Sequence, residues 1–175
     1  MPSAQPERLV LDRLATPIGT ALLVTDETGA LRAFNWTDYE DSMQSWIARR
    51  YPAARRESGV SPARDAFQRY FAGDLAALDA VRWTAAGTDF QLKVWETLCT
   101  IPVGETLSYA GLAARIGKPS AMRAVGLANG ANPVAVVVPC HRVIGANGSL
   151  TGYGGGLQRK KWLLALEGAA FRDAA

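Results

Sequence analysis

The stretch Ser108–Asn129, SYAGLAARIGKPSAMRAVGLAN, predicts the architecture of the C-terminal half of the chain. Its first residue, a serine, can cap a helix that runs to Ile116. Gly117 then lies just past the helix end, where glycine commonly terminates a helix. Pro119-Ser120 opens a second short helix that runs to the end of the stretch. Two short helices joined by a Gly-Lys-Pro-Ser turn are typical of a helix-turn-helix, although many helical hairpins of this form bind nothing.

The second of these helices carries mostly small side chains. They are Ala121, Ala124, Gly126, Ala128 and Gly130, and Arg123 is the one long cation among them. Small residues let a helix approach another surface closely, and tight packing against a second helix is the commoner reason for them. Contact with DNA would explain the small residues and the projecting arginine together.

A capping box predicts another helix before this pair. Thr88 is followed three residues later by Gln91, a combination that satisfies unpaired N–H groups at a helix start. Phe90, Val94 and Leu98 then recur at a spacing of four, so one face of the helix is expected to be buried.

The apolar run Val134–Val138 predicts a buried strand that ends at Pro139. Cys140 and His141 follow, and His141 is the only histidine of the chain. A thiol is nucleophilic as its thiolate, and a neighbouring imidazole can accept the proton. A buried cysteine beside a structural histidine remains the commoner explanation of such a pair.

An imidazole that accepts a proton works best when a third group fixes its other nitrogen. The candidates are the carboxylates of the same half of the chain, and spacing alone does not choose between them. They are Asp89, Glu96, Glu105, Glu167 and Asp173.

The first 85 residues predict a small sheet with helices. Turn residues separate three apolar segments, Leu9–Leu11, Ala21–Val24 and Leu31–Trp36, which are expected to form a β-meander. One helix is predicted from about residue 38 to 50 and another from Ser61-Pro62. A change of composition at Ala85–Gly87 predicts two domains, residues 1–85 and 86–175.

The overall composition is that of a soluble globular protein. The chain has 175 residues, of which 49% are hydrophobic and 20% charged. No signal peptide and no membrane-spanning run is visible, so we expect a cytoplasmic protein that does not bind membranes. Residues 1–85 contain 10 Lys and Arg against 11 Asp and Glu, whereas residues 86–175 contain 9 against 5. The basic C-terminal half suits a phosphate-bearing partner, although a few solvated cations would give the same balance.

The cysteines indicate neither a disulfide nor a metal site. Cys99 and Cys140 are the only two, and no disulfide framework is visible. One histidine and two cysteines leave a zinc site short of ligands, so no metal is expected. Cys99 lies in the last turn of an apolar helix and is interpreted as a core thiol made inert by burial.

Pro139–Val143, PCHRV, resembles the active-site signature of the O6-alkylguanine-DNA alkyltransferases, also called methylated-DNA–protein-cysteine methyltransferases. The resemblance covers residues 88–168 densely, and the first 85 residues fit the bacterial single-chain members of the Ogt type more loosely. The matching motifs are Phe90-Gln91, Val94-Trp95, Ile101-Pro102, Gly104-Glu105-Thr106, Ser108-Tyr109, Arg123–Gly126, Asn132-Pro133, Gly152-Tyr153, Leu163-Leu164 and Glu167-Gly168.

The resemblance implies an α+β fold. The N-terminal domain would be RNase H-like, with a three-stranded sheet and helices, and the C-terminal domain would be winged-helix-like with the helix-turn-helix. It also implies a monomer that needs no cofactor, because the alkyl donor is the DNA itself.

The implied activity is direct repair of O6-alkylguanine, and of O4-alkylthymine, in double-stranded DNA. DNA would bind through its minor groove, the damaged base would flip out, and Cys140 would accept the alkyl group irreversibly in one turnover. His141 would take the thiol proton through a water, and Glu167 would orient His141. The implied catalytic residues are Cys140, His141, Glu167, Tyr109 and Asn132.

The resemblance also assigns contact residues. The expected DNA contacts are Arg123, Ser120, Ala121, Ala124 and Tyr109, with Arg123 filling the space of the flipped base. The expected substrate pocket comprises Val143, Tyr153, Gly154, Ala135 and Thr151. Gly154 replaces a serine found in some relatives, so that contacts there would come from the backbone alone.

Two other functions are compatible with parts of the sequence. A Cys-His hydrolase would form a thioester and turn over many times, but it leaves the helix-turn-helix and Arg123 unexplained. A lesion-binding protein without activity would keep its function when Cys140 is replaced.

Overall fold

A four-stranded mixed sheet forms the N-terminal part of the computed structural model, which describes residues 4–173. The strands are β1 (Arg8–Thr16), β2 (Gly19–Asp26), β3 (Leu31–Trp36) and β4 (Arg55–Ser58), in the order β3-β2-β1-β4. The first three are antiparallel neighbours, as the β-meander prediction requires, and β4 pairs with β1 in parallel. The α+β class is confirmed, but the prediction of three strands is wrong.

The missed strand β4 has the sequence RRES, and all four of its side chains are exposed. It therefore lacks the apolar alternation by which a strand is recognised in sequence. Charged side chains on an edge strand are a common protection against pairing with other chains.

Two helices accompany this sheet, α1 (Glu40–Arg50) and α2 (Arg64–Phe71), with short 3₁₀ helices at Thr37–Tyr39 and Ala77–Ala80. Met43 and Ile47 of α1 pack with Leu9, Leu22 and Val24 of the sheet in a buried cluster. Phe67 of α2 stacks on Phe34 of β3 with ring centroids 5.0 Å apart.

The chain divides into two compact units between Ala86 and Gly87. That residues 1–85 and 86–175 form two separate domains stays a prediction. Among residues 4–173, no helix is long and apolar enough to cross a bilayer.

The second unit consists of short helices and a two-stranded pairing. The helices are α3 (Asp89–Leu98), α4 (Tyr109–Arg115), α5 (Met122–Gly130) and α6 (Leu157–Leu166), and the strands are β5 (Leu107–Ser108) and β6 (Val143–Ile144). Leu107 pairs with Val143 and Ser108 with Ile144, in parallel. This pairing joins the start of the helix-turn-helix to the segment that follows Cys140.

The predicted signals at the start of α3 and at both ends of α4 are present. Thr88 and Gln91 form a reciprocal capping box at the start of α3, and the Ser108 hydroxyl accepts from the Gly111 N–H at the start of α4. Gly117 has φ = 78°, and the N–H groups of residues 117 and 118 donate to the carbonyls of residues 114 and 113. These two bonds are the pattern of a helix terminated by a left-handed glycine. The second helix begins at Met122, two residues later than predicted.

The interpretation of Cys99 as a core thiol is wrong, because Cys99 is exposed. Val94 and Leu98 are fully buried, and Cys99 is the residue that follows the helix end. Successive side chains of a helix are rotated by about 100°. Cys99, one residue after the buried Leu98, therefore does not lie on the buried face.

The predicted strand Val134–Val138 is also wrong. These residues form a tight turn in which the Val138 N–H donates to the Val134 carbonyl at 3.0 Å. Val136 has φ = 74°, a left-handed conformation that is rare and strained for a β-branched residue. The valines at 134, 136 and 138 are nevertheless buried. The apolar run therefore indicated correctly that these residues belong to the core, but not that they form a strand.

Candidate active site

Cys140 begins a one-turn 3₁₀ helix, Cys140–Arg142, directly after Pro139. It is 6% exposed, and its N–H donates to the Val138 carbonyl at 2.8 Å. Burial raises the pKa of the Cys140 thiol, whereas a hydrogen bond from Asn132 and the positive charge of Lys160 act in the opposite direction. A buried thiol needs such partners to react as a thiolate near neutral pH.

His141 is fully buried, and its Nε2 lies 3.0 Å from Glu167 Oε2. Of the five carboxylates considered from the sequence, Glu167 is the one that the structure places at the imidazole. Burial lowers the pKa of His141 and the Glu167 carboxylate partly restores it, so the ring is neutral near pH 7. Because a carboxylate only accepts hydrogen bonds, Nε2 carries the ring hydrogen.

The other imidazole nitrogen, His141 Nδ1, is therefore the one with a lone pair. Nδ1 is buried and has no hydrogen-bond partner among residues 4–173. A buried polar atom without a partner is unusual in a folded protein. Together with the bond to Glu167, this leaves Nδ1 as a proton acceptor beside the residue that carries the thiol.

Arg142 holds the Glu167 carboxylate in place. Its Nε donates to Glu167 Oε1 at 2.8 Å and its Nη2 to Oε2 at 3.0 Å, a bidentate pair. Arg142 Nη1 donates to the Ile101 carbonyl at 2.7 Å. A two-point contact fixes the plane of a carboxylate, so the oxygen that meets His141 cannot rotate away.

Asn132 braces the turn that leads into Cys140. Its Nδ2 donates to the Val138 carbonyl at 2.8 Å, and its Oδ1 accepts from the Val134 N–H at 2.9 Å. These bonds hold the strained conformation of Val136, and hence the approach of the chain to the thiol.

The expected pocket residues lie on three segments, namely the turn with Ala135, the start of β6 with Val143, and the loop with Thr151, Tyr153 and Gly154. The Tyr109 hydroxyl lies 2.8 Å from Thr151 Oγ1. The Tyr153 hydroxyl is buried without a hydrogen-bond partner among residues 4–173, and burial, together with the negative charges of Cys140 and Glu167, raises its pKa well above the usual 10. Gly154 is exposed. The backbone of Ala135 bridges to that of Val138.

Both backbone groups of Val143 already have partners within the protein. Its N–H donates to the Cys140 carbonyl, and its carbonyl accepts from Lys160 Nζ at 2.6 Å. A base that contacts the Val143 carbonyl would therefore share it with Lys160.

Sequence reasoning missed Lys160, which is 0% exposed on α6. The signal that could have found it is its spacing, because Lys160 lies three and four residues before the buried Leu163 and Leu164 and seven before Glu167. That spacing places it on the buried face of α6.

Comparison with known proteins relates this site to a family. The family model for the DNA-binding domain of 6-O-methylguanine DNA methyltransferase matches residues 89–169. A methylated-DNA–protein-cysteine methyltransferase of Salmonella typhimurium is 49% identical over 165 residues, which cover 92% of this chain and 96% of the relative. The chain belongs to the methylated-DNA–protein-cysteine methyltransferase family. The resemblance inferred from Pro139–Val143 and the predicted enzyme class are thereby confirmed.

Solved structures of this methyltransferase family have the same fold. The O6-methylguanine methyltransferase of Mycobacterium tuberculosis is 44% identical and superposes with a TM-score of 0.76, over 91% of this chain and 93% of that one. A structure of the Mycobacterium tuberculosis protein in complex with DNA has a TM-score of 0.75 at 42% identity, over 90% and 92% of the two chains.

Four of the residues expected to contact DNA in this methyltransferase lie on α5 or directly before it. Ser120, Arg123 and Ala124 are exposed and Ala121 is half-buried, whereas Val125 and Ala128 are buried on the opposite face. A side-chain carbon at Gly126 would lie 3.8 Å from the Tyr109 ring, an ordinary van der Waals contact, so the ring lies close to α5 and an alanine would also fit there. Two exposed apolar residues on α5, Met122 at 52% and Leu127 at 72%, were not predicted.

Proposed function

We propose that this protein repairs O6-alkylguanine in duplex DNA by transferring the alkyl group irreversibly to Cys140 Sγ, once per protein molecule. The observation that carries the proposal is the buried Nδ1 of His141, which has no hydrogen-bond partner in the part of the chain that the structure describes. His141 follows Cys140 in sequence, and Glu167 holds its Nε2. This arrangement is that of a thiol with a built-in proton acceptor.

The first step removes the thiol proton. His141 Nδ1 accepts it through a bridging water, and the resulting imidazolium is stabilised by the Glu167 carboxylate at 3.0 Å. Arg142 keeps that carboxylate oriented. The role of Glu167 is to fix the tautomer and the ring orientation, as a carboxylate does in other nucleophile–histidine pairs.

The second step is an in-line displacement at the alkyl carbon. A bond forms between Cys140 Sγ and that carbon while the bond from the carbon to guanine O6 breaks, and the electron pair stays on the base. The Tyr109 hydroxyl donates a proton to the base, and the proton held by His141 then returns to Tyr109 through water. The net result moves the thiol proton onto guanine and restores both side chains. The same displacement at an alkylated exocyclic oxygen extends the activity to O4-alkylthymine.

The product thioether ends the activity of the protein. A sulfur–alkyl bond is not hydrolysed by a neutral imidazole, and no residue at Cys140 offers another route for its cleavage. One protein molecule therefore removes one alkyl group, and the DNA supplies the donor without a cofactor.

The exposed face of α5 supports binding through the DNA minor groove. Ser120, Ala121 and Ala124 would allow close approach of the helix, and Arg123 would fill the space left by the flipped nucleotide. Flipping costs a few kcal/mol and least for a base that pairs badly, as O6-alkylguanine does. The proposal further comprises a winged-helix-like C-terminal domain, an RNase H-like N-terminal domain, a monomeric state and a cytoplasmic location.

The test follows the DNA product. A duplex with a single O6-methylguanine is mixed with increasing amounts of protein, digested to nucleosides and analysed by chromatography. We expect guanine to replace O6-methylguanine in a one-to-one ratio with the protein. Conversion of many equivalents would indicate a turning-over enzyme, and binding without conversion would indicate a lesion-binding protein.

Replacing Arg123 by alanine separates flipping from chemistry. We expect Arg123→Ala to slow repair of the duplex by about tenfold or more, because flipping loses a stabilising contact worth at least about 1.4 kcal/mol. Reaction with the free base O6-benzylguanine should be nearly unchanged, since no flipping is needed. The measurement is the single-turnover rate on both substrates.

Lys93→Ala is the matched control, because it removes one exposed cation of the same unit from α3. It should leave both rates close to wild type. If Arg123→Ala slowed both reactions equally, Arg123 would have no role in flipping.

A further inference from the structure

Lys160 is a fully buried cation whose hydrogen bonds go to carbonyl oxygens. Its Nζ donates to the Val143 carbonyl at 2.6 Å and to the Thr151 carbonyl at 3.3 Å. The buried Arg142, in contrast, forms an ion pair with the Glu167 carboxylate. Within residues 4–173, no carboxylate forms an ion pair with Lys160. A buried ammonium without such a partner is costly, so its presence calls for a physical reason.

The two carbonyls belong to the segment that follows the thiol and to the loop that carries Tyr153. Val143 begins β6, directly after the Cys140–Arg142 turn. Thr151 precedes Tyr153, and the Thr151 hydroxyl lies against Tyr109. Lys160 thus ties the segment that carries the nucleophile to the segment that carries the expected pocket residues.

Cys140 is the buried group whose charged form this cation favours. The charge of Lys160 favours the thiolate of Cys140, and the thiolate in turn favours the ammonium of Lys160. Burial lowers the pKa of Lys160 to about 8, so the ammonium is the prevailing form at pH 7.

We propose that Lys160 is a positioning residue that supplies the counter-charge for the Cys140 thiolate while it ties the Val143 and Thr151 backbones together. For its effect on alkyl transfer, this inference rests on the proposed function. The thiol proton still leaves through His141, and Lys160 keeps its own proton throughout the transfer. When the thioether forms, the negative charge leaves the sulfur, and Lys160 loses the anion that favoured its charged form.

The other ionisable groups around Cys140 do not replace this charge. His141 is neutral because burial lowers its pKa, and the charge of Arg142 is balanced by Glu167. Burial raises the pKa of Tyr153, so its hydroxyl stays neutral. Lys160 is therefore the cation whose removal should be felt most by the thiol.

The decisive variant is Lys160→Met, which keeps the length of the side chain and removes the charge. The rate of Cys140 alkylation by iodoacetamide and by O6-benzylguanine is measured from about pH 6 to 9.5. An opposite charge near a thiol lowers its pKa by about one unit or more. We therefore expect the rising limb of the rate profile to move up by about one pH unit or more in Lys160→Met, and Lys160→Arg to keep it close to wild type.

A purely structural role predicts a different result. Loss of the two carbonyl bonds alone would lower the rate by the same factor at every pH, and the rising limb of Lys160→Met would superpose on that of the wild type after scaling. That outcome would overturn the inference. Lys160→Gln, which keeps a hydrogen-bond donor without charge, serves in place of Lys160→Met if the latter does not fold, as judged by circular dichroism.

A second measurement leaves Lys160 intact. The titration of its Nζ is followed by NMR of ¹⁵N-lysine-labelled protein, in the wild type and in Cys140→Ala. Linkage is reciprocal, so removal of the thiol should lower the pKa of Lys160 from about 8. Equal pKa values in the two proteins would also refute the pairing.

The two proposals fail in different ways. If the wild type leaves O6-methylguanine in the duplex unchanged, the proposed function fails, whereas the iodoacetamide profile and the lysine titration still test Lys160. If the wild type repairs the duplex and the profiles of the variants coincide, only the inference about Lys160 fails.

Discussion

Replacement of Cys140 by serine is expected to abolish alkyl transfer while leaving binding to duplex DNA intact. A serine hydroxyl in the same site does not ionise near neutral pH, and a neutral imidazole with a lowered pKa is too weak a base to activate it for displacement at carbon. The side chain is almost the same size, so the 3₁₀ turn and the buried valines around it should be preserved. The measurements are the amount of alkyl group transferred from a duplex with one O6-methylguanine, and the affinity for the same duplex.

The second cysteine provides the matched control. Cys99 is exposed at the end of α3, and Cys99→Ser should transfer one alkyl group at the wild-type rate. The proposed site would be contradicted if Cys140→Ser still accepted the alkyl group and Cys99→Ser did not. That result would make Cys99 the acceptor.

Replacement of Glu167 by alanine is expected to cost about 3–5 kcal/mol of unfolding free energy, because it leaves a buried charge without its partner. Glu167 is the shared acceptor of Arg142 and His141. Without it, the Arg142 side chain, 10% exposed, retains only the Ile101 carbonyl among the contacts described above. Urea unfolding followed by tryptophan fluorescence measures the loss.

An exposed ion pair in the same unit serves as the control for Glu167. Lys161 pairs with Asp173, and the two side chains are 43% and 60% exposed, respectively. Asp173→Ala should change the unfolding free energy by only about 0–1 kcal/mol, as exposed pairs do. A comparably small loss in Glu167→Ala would mean that the Arg142–Glu167–His141 cluster does not support the fold.

The local signals of helix ends predicted the helix-turn-helix well. Ser108, Gly117 and the Thr88–Gln91 pair act through backbone hydrogen bonds only a few residues away. Such signals are readable without knowledge of the tertiary fold. The predicted start of α5 was less accurate, because Pro119-Ser120 lies in the turn and the helix begins at Met122 without a side-chain cap.

Errors arose where tertiary contacts decide the structure. An apolar run such as Val134–Val138 suits a buried strand and a buried turn equally well. The turn is fixed by Asn132, whose two hydrogen bonds reach across it. The strand β4 escaped notice for the opposite reason, since its charged side chains carry no apolar pattern and it is recruited by pairing with β1.

The candidate site was predictable in part. The Cys140–His141 pair can be read from the sequence, but the residues themselves left five carboxylates as partners of the imidazole. Only folding brings Glu167, 26 residues away from His141, to its Nε2. Lys160 was missed because a lysine is ordinarily assigned to the surface, and its burial depends on carbonyl acceptors that the sequence does not display.

The most direct test of the central claim is the mass of the protein after reaction. The protein is mixed with an excess of a duplex carrying one O6-methylguanine, and its intact mass is measured before peptide mapping. We expect a gain of one methylene group that saturates at one per molecule and maps to the peptide containing Cys140. A protein of unchanged mass that still binds the duplex would contradict the account and leave the Cys140–His141 pair with a structural role.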